Sequence, residues 1–224
     1  MKNSSEYAQR LQKLFRALKR SHAKIEAATY DDPIDALIYA IVSEGMSASA
    51  AETALRGIRD TFIDRNDLRV SRVEEIIEIF GKDTPEGRRT AFGLTTALRA
   101  VFDSFHTVSL QALKKMGKRP SKQVLEGLQG VDRFTVNYCM LTSLQAHAIP
   151  LTGRMVAYLR DHEIVDPQAS DEEIEGFLTR QVAAKNAYDF YVLLRCESES
   201  SKAARRKTQK KTRPTRRNVA KAKK

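Results

Sequence analysis

Apolar residues recur along most of this chain at helical spacing. Tyr7, Leu11, Leu14, Phe15 and Leu18 fall on one side of a helix of about 3.6 residues per turn, which predicts an amphipathic helix docked on a larger body. Beyond Tyr30-Asp31-Asp32-Pro33, Asp32 can cap a first turn and Pro33 sits where a missing N–H costs nothing. Ile34, Leu37, Ile38, Ile41 and Val42 supply the buried face of that helix, and Gly45 its stop. Residues 50–62 read as the next helix. Ser71-Arg72-Val73-Glu74 reads as a capping box before Ile76, Ile77, Ile79 and Phe80, closed by Gly81. Thr84-Pro85 repeats the cap-then-proline start ahead of Leu94, Leu98, Val101, Phe102 and Phe105. Ser109 and Ser121 are further candidate caps, residues 135–144 continue as apolar helix, and Ser170-Asp171-Glu172-Glu173 forms another capping box before Ile174, Phe177 and Leu178. No run alternates as a β-strand, so the prediction is an all-α fold of roughly nine to eleven short helices. No fixed repeat suggests a solenoid.

Charge changes the picture at one end. The chain has 39 Lys and Arg against 28 Asp and Glu, a net charge of +11, but residues 201–224 hold twelve bases and no acid. The first 200 residues therefore carry 27 bases against 28 acids. From Ser198 onward the composition predicts a disordered tail, with Arg205, Arg206, Lys207, Lys210, Lys211, Arg213, Arg216 and Arg217 as candidate phosphate contacts. An apolar content of 42% is enough for a core. The acid-poor N-terminus reads as a docked helix rather than a transit peptide. No apolar run approaches the roughly eighteen residues of a membrane span, and two cysteines make no disulfide scaffold. These features predict a cytoplasmic monomer without a membrane partner.

The most informative segment is Val124-Leu125-Glu126-Gly127-Leu128-Gln129-Gly130-Val131-Asp132-Arg133-Phe134-Thr135-Val136-Asn137. One helix ends near Leu128, Gly130 permits a tight reversal, and a second helix begins within a few residues. Such a helix-hairpin-helix presents backbone N–H groups at a helix N-terminus, where a DNA phosphate is met without base readout. An ordinary αα-corner has the same spacing.

This hairpin resembles the L-x-x-L-P-G-V-G-x-K-T-A segment of the helix-hairpin-helix base-excision DNA glycosylases, the endonuclease III superfamily. Asp32-Pro33-Ile34-Asp35-Ala36-Leu37-Ile38 is similar to that family's N-P-F-E-L-L-I opening, and Ile149-Pro150-Leu151-Thr152-Gly153-Arg154-Met155 sits where its A-V-D-T-H-I turn lies. Order and spacing agree over roughly residues 30–195. The resemblance implies two helical lobes with DNA across the cleft between them: residues 36–146 carrying the hairpin, and residues 1–35 with 147–200 forming the second. It further implies extrusion of a target base from the duplex. Leu128, Gly130, Val131, Asp132, Arg133 and Thr135 become the candidate DNA-binding residues.

Departures from the family pattern bear on chemistry. The Schiff-base lysine position is Phe134, and the position of the aspartate that supports the cationic sugar is Thr152; neither replacement can do those jobs. Asp132 replaces the hairpin's second glycine and places a carboxylate near the expected phosphate, although a helix N-terminus also favours a carboxylate there. The gap-filling glutamine position is Gly45. Ser43-Glu44 resembles the S-E-x-M of adenine glycosylases, but ungapped alignment puts that acid on Ala40, about one helical turn away. The four cysteines of the family's iron–sulfur loop are missing, and His22, His106, His147 and His162 lack ligand spacing, so no cofactor or zinc is implied. Glycine-rich phosphate loops and a nucleophile elbow are absent.

Three functions follow from these residues. The first is a DNA-binding protein of this superfamily with degenerate catalysis, holding duplex or damaged DNA through hairpin and tail. The second is a monofunctional glycosylase with a relocated acid at Glu44, Asp132 or Asp161, since lyase chemistry needs the missing lysine. The third is a helical interaction module whose tail binds RNA or another acidic surface.

Overall fold

The computed structural model describes residues 4–21 and 25–211, with side chains described for 5–21 and 25–200. Among these residues it contains eleven α-helices and two 3-10 turns: α1 Ser4–Ser21, α2 Pro33–Glu44, α3 Ala48–Thr61, α4 Arg65–Val70, α5 Val73–Phe80, α6 Pro85–Phe105, α7 Lys118–Gly127, α8 Arg133–Thr142, α9 Gly153–Asp161, α10 Asp171–Gln181 and α11 Ala187–Lys211, with 3-10 turns at Gln111–Lys115 and Ala184–Asn186. No strand occurs among the described residues, in agreement with the all-α expectation.

The central helix, α2, is strongly apolar. Nine of the twelve residues of α2 are buried, because α8, α3 and α6 all pack on it. Asp32 caps α2 as predicted, Oδ1 accepting from Ile34 N at 3.0 Å. The same buried carboxylate also accepts from Leu110 N at 2.9 Å, from Ser109 Oγ at 2.6 Å and from Arg65 at 3.2 Å. One side chain thereby ties the start of α2 to the loop after α6 and to α4. On the other side, α11 packs against α1, α9 and α8. Phe15 of α1 meets Phe190 edge-on at 5.3 Å, so the N-terminal helix docks through its predicted stripe.

Three local expectations are corrected. Ser71 does not open α5; its Oγ donates to Leu68 O at 2.8 Å and closes α4, while Glu75 reaches back to Arg72 N at 2.9 Å. Ser121 lies buried within α7, donating to Leu113 O and Gly117 O at 3.0 Å, so Gly117 and not Ser121 is the N-cap. The tail does not start at Ser198 as expected, since Ser198 and Glu199 still belong to α11. Ser198 Oγ bonds Arg195 O at 2.9 Å and Glu199 bonds Ala48 N at 3.1 Å, and the Ala, Lys and Arg that follow are strong helix formers. Arg213, Arg216 and Arg217, together with His22, lie outside the described residues.

Candidate nucleic-acid interface

The hairpin is built where the sequence places it. Helix α7 ends at Gly127, Val131 N bonds Leu128 O at 3.3 Å, and α8 starts at Arg133. Gly130 has φ +79°, and a Cβ there would lie 2.6 Å from Gly93 O and 3.0 Å from Ala97 N. The turn therefore needs glycine twice, for its backbone conformation and for its seat on α6. Its outer side stays in solvent, because Gln129, Gly130 and Arg133 are exposed. Asp132 is the N-cap of α8, accepting from Thr135 N at 2.7 Å. This carboxylate thus stabilises the helix it precedes.

The six candidate hairpin residues divide by position. Leu128 and Thr135 are buried and anchor the turn, Val131 and Asp132 are partly covered, and Gly130 and Arg133 face outward. Arg133 is paired with Glu172 of α10 and lies 3.8 Å from Glu175, a clamp that no spacing in the sequence reveals.

Phe134 points inward. It is 3% exposed, with ring centroids 6.1 Å from Tyr138 and 6.3 Å from Tyr191 and the Arg195 guanidinium 5.9 Å above it. Arg195, itself 3% exposed, donates to Ser43 O at 2.5 Å, to Tyr191 Oη at 2.7 Å and to Glu199 at 3.0 Å. Tyr39 stacks on Tyr138 at 5.0 Å, and the Tyr30 and Tyr138 hydroxyls share a 2.8 Å hydrogen bond. Burial pushes the Tyr138 phenol far above its ordinary value, so it stays neutral. Phe134, the residue that the resemblance aligns with the family nucleophile, thus lies at the edge of an aromatic core. Thr152 is also buried and caps α9, accepting from Met155 N at 3.3 Å.

A cavity of about 350 Å3 opens on the other side of the hairpin, lined by Ile41, Glu44, Arg89, Asp132 and Thr135 among others. Glu44, the last residue of α2, faces Asp132 there. Protein packed around the Glu44 carboxyl and the neighbouring Asp132 push it up to about 7, against an opposing pull from Arg89. The sequence marks both acids as candidates without showing that they meet. Of the remaining positions, Gly45 lines the same cavity and Ala40 is buried. Asp161 ends α9, a helix length of roughly 13 Å from the cap at Thr152.

Cys139 is buried in α8 and Cys196 lies on α11. His147 bonds Val182 O at 2.8 Å, His162 stacks on Tyr158 at 4.0 Å, and His106 adopts the left-handed conformation that ends α6. No helix among the described residues is long and apolar enough to cross a membrane.

Superposition on solved structures connects this geometry to known proteins. A non-covalent endonuclease III–DNA complex matches with a TM-score of 0.65 at 14% identity, covering 84% of each chain. The fold is that of the helix-hairpin-helix DNA glycosylases. The Clostridium acetobutylicum 8-oxoguanine glycosylase/lyase, in complex with double-stranded DNA containing cytosine opposite 8-oxoG, matches with a TM-score of 0.67 at 14% identity over 89% of this chain and 71% of the other. A thermostable thymine-DNA glycosylase matches at 0.62 and 14% identity over 87% of each chain. By sequence, no family model and no curated protein matches. The resemblance read from the hairpin, the α2 opening and the turn at Thr152 agrees with this glycosylase fold.

Proposed function

We propose that this chain binds duplex DNA through the outer side of the hairpin and has lost the Schiff-base chemistry associated with its fold. The observation that carries the reading is the opposite orientation of two neighbouring residues: Gly130 faces solvent, whereas Phe134 is packed in the aromatic core beside Arg195. The turn keeps exposed main chain at Gln129 and Gly130 that a phosphate can approach without base readout. The lysine position has become apolar and inaccessible, and Thr152 is engaged as a helix cap. The structural neighbours include complexes with DNA, which supports a nucleic-acid partner. In this reading residues 36–146 and residues 1–35 with 147–200 act as two lobes, and the basic segment 201–224 adds affinity that is independent of sequence.

Fluorescence anisotropy with undamaged duplex, and with duplexes containing uracil, oxidised pyrimidine, alkylpurine or adenine mispaired with guanine, tests this directly. Binding without base release is the expected outcome. Base release over multiple turnovers overturns the loss of catalysis, and failure to bind any duplex at low salt overturns the reading as a whole.

A further inference from the structure

A second cavity, of about 600 Å3, opens between the first two turns of α2, the last two turns of α3 and the start of α4. That size lies within the range of small-molecule sites. Ile38, Leu55, Ile58 and Leu68, all buried, give it an apolar wall. The wall continues outward through Phe62, which is partly covered, to Ile63, which is 94% exposed. Two tyrosines add aromatic surface. Tyr39 stacks on Tyr138 at 5.0 Å with 19° between the ring planes, and it lines the cavity with the part of its ring that Tyr138 leaves uncovered. Tyr30 lines the cavity too, 6.4 Å from Tyr39 and steadied by its hydroxyl bond to Tyr138.

The charged groups at this cavity are committed to one another or to main chain, with one exception. Arg65 donates to Asp35 at 2.7 and 3.0 Å and to Asp32 at 3.2 Å, which ties α4 to the start of α2 and fixes the space between them. Asp64 caps α4, accepting from Asn66 N and Asp67 N at 2.8 Å. Arg59 is exposed and, among the described residues, has neither an ion pair nor a hydrogen bond. The uncommitted charge at the cavity is therefore positive. A guanidinium offers a planar fork that fits a carboxylate or a phosphate, and it also lies flat on rings.

We propose that this cavity binds a small molecule made of a flat ring joined to one anionic group, the ring extending the Tyr39–Tyr138 stack and the anion pairing with Arg59. The inference is independent of the DNA-binding reading. Asp35, Ile38 and Tyr39 belong to the first two turns of α2, whereas Glu44, beside the hairpin, is its last residue. Three features select this chemistry. Stacking on an aromatic face favours a planar ring over an aliphatic body of equal area. The free guanidinium favours a carboxylate or phosphate over a neutral group. A cationic ligand finds no free acid, because Asp35 and Asp64 already have their donors. The wall residues are held by the core and by the Arg65 contacts, so the site is formed before the ligand arrives and little has to be ordered on binding.

Isothermal titration calorimetry on the full chain tests this with naphthoate and adenosine monophosphate, the carboxylate and phosphate forms of such a ligand, and with their neutral counterparts, naphthamide and adenosine. At least one of the two anions is expected to bind at one per chain, and its neutral counterpart about tenfold more weakly. Which anion binds identifies the source of the ring. Arg59→Gln alters an exposed side chain and leaves the core intact; it should weaken the anion by about the same tenfold and leave the neutral counterpart unchanged. Tyr39→Leu, its folding checked by circular dichroism, should weaken both forms. No saturable binding of either anion at millimolar concentration overturns the site. So does anion binding that Arg59→Gln does not weaken, which would move it to other basic residues such as those of 201–224, and so does full affinity in a folded Tyr39→Leu chain. Light scattering adds one further outcome: a dimer that Ile63→Asp converts to monomer means that a second copy of the chain covers the cavity, and it overturns the small-molecule site.

Discussion

Phe134, which the resemblance aligns with the family's lysine, has surroundings that leave no room for an amine. Restoring the family residue by Phe134→Lys places an ammonium among Tyr138, Tyr191 and the Arg195 guanidinium. The variant should lose about 3–5 kcal/mol of stability in urea denaturation, as large aromatic truncations and buried unpaired charges do, and borohydride trapping on abasic DNA should yield no covalent adduct. Glu44 offers a second measurement at this scale. Its carboxyl is raised from 4.5 to about 7 by surrounding protein and by Asp132, so in that interval the folded chain holds a proton that the unfolded chain has released. The stabilising contribution is complete below 4.5 and disappears as pH rises through about 7. In metal-free buffer, Glu44→Gln should flatten the fall in melting temperature between these values; an unchanged wild-type-minus-variant difference would show that the carboxyl is not perturbed.

Among the helices, α11 is fastened to the end of α2 by a single guanidinium. Arg195→Ala leaves Ser43 O and Met46 O without their donor and Glu199 with the Ala48 amide but no guanidinium, and should cost about 2–4 kcal/mol, with amide exchange accelerated first in α11. This contact also marks the limit of what the sequence discloses. Local signals were readable: Asp32-Pro33, Thr84-Pro85 and the Ser170–Glu173 box all begin helices as predicted, because cap and capped amide lie within a few residues. Ser71 and Ser121 misled because a serine hydroxyl bonds equally well to a carbonyl behind it. Helix α4 escaped detection because it has six residues and one buried side chain, Leu68, too little for any periodicity. The hairpin was legible from Gly130. The meetings of Glu44 with Asp132, of Arg133 with Glu172 and of Arg195 with Ser43 were not, since each joins residues far apart in the chain through packing alone.

For the molecule as a whole, charge and fold are separated along the chain. The twelve bases of residues 201–224 follow a body with 27 bases and 28 acids. Removing that segment should make the salt dependence of duplex binding markedly shallower, because fewer counterions are released. A slope equal to that of the full chain would move the electrostatics to the helical body. The hairpin side of the molecule behaves differently. With Gly130 resting directly on the main chain of Gly93 and Ala97 and beside Thr96 Cβ, no long side chain at the contact can relax or rearrange. A partner arriving at this turn meets a surface already set in its final shape, so little freedom remains to be lost on association, and the tightness of the encounter is decided by the departure rate rather than by a folding step.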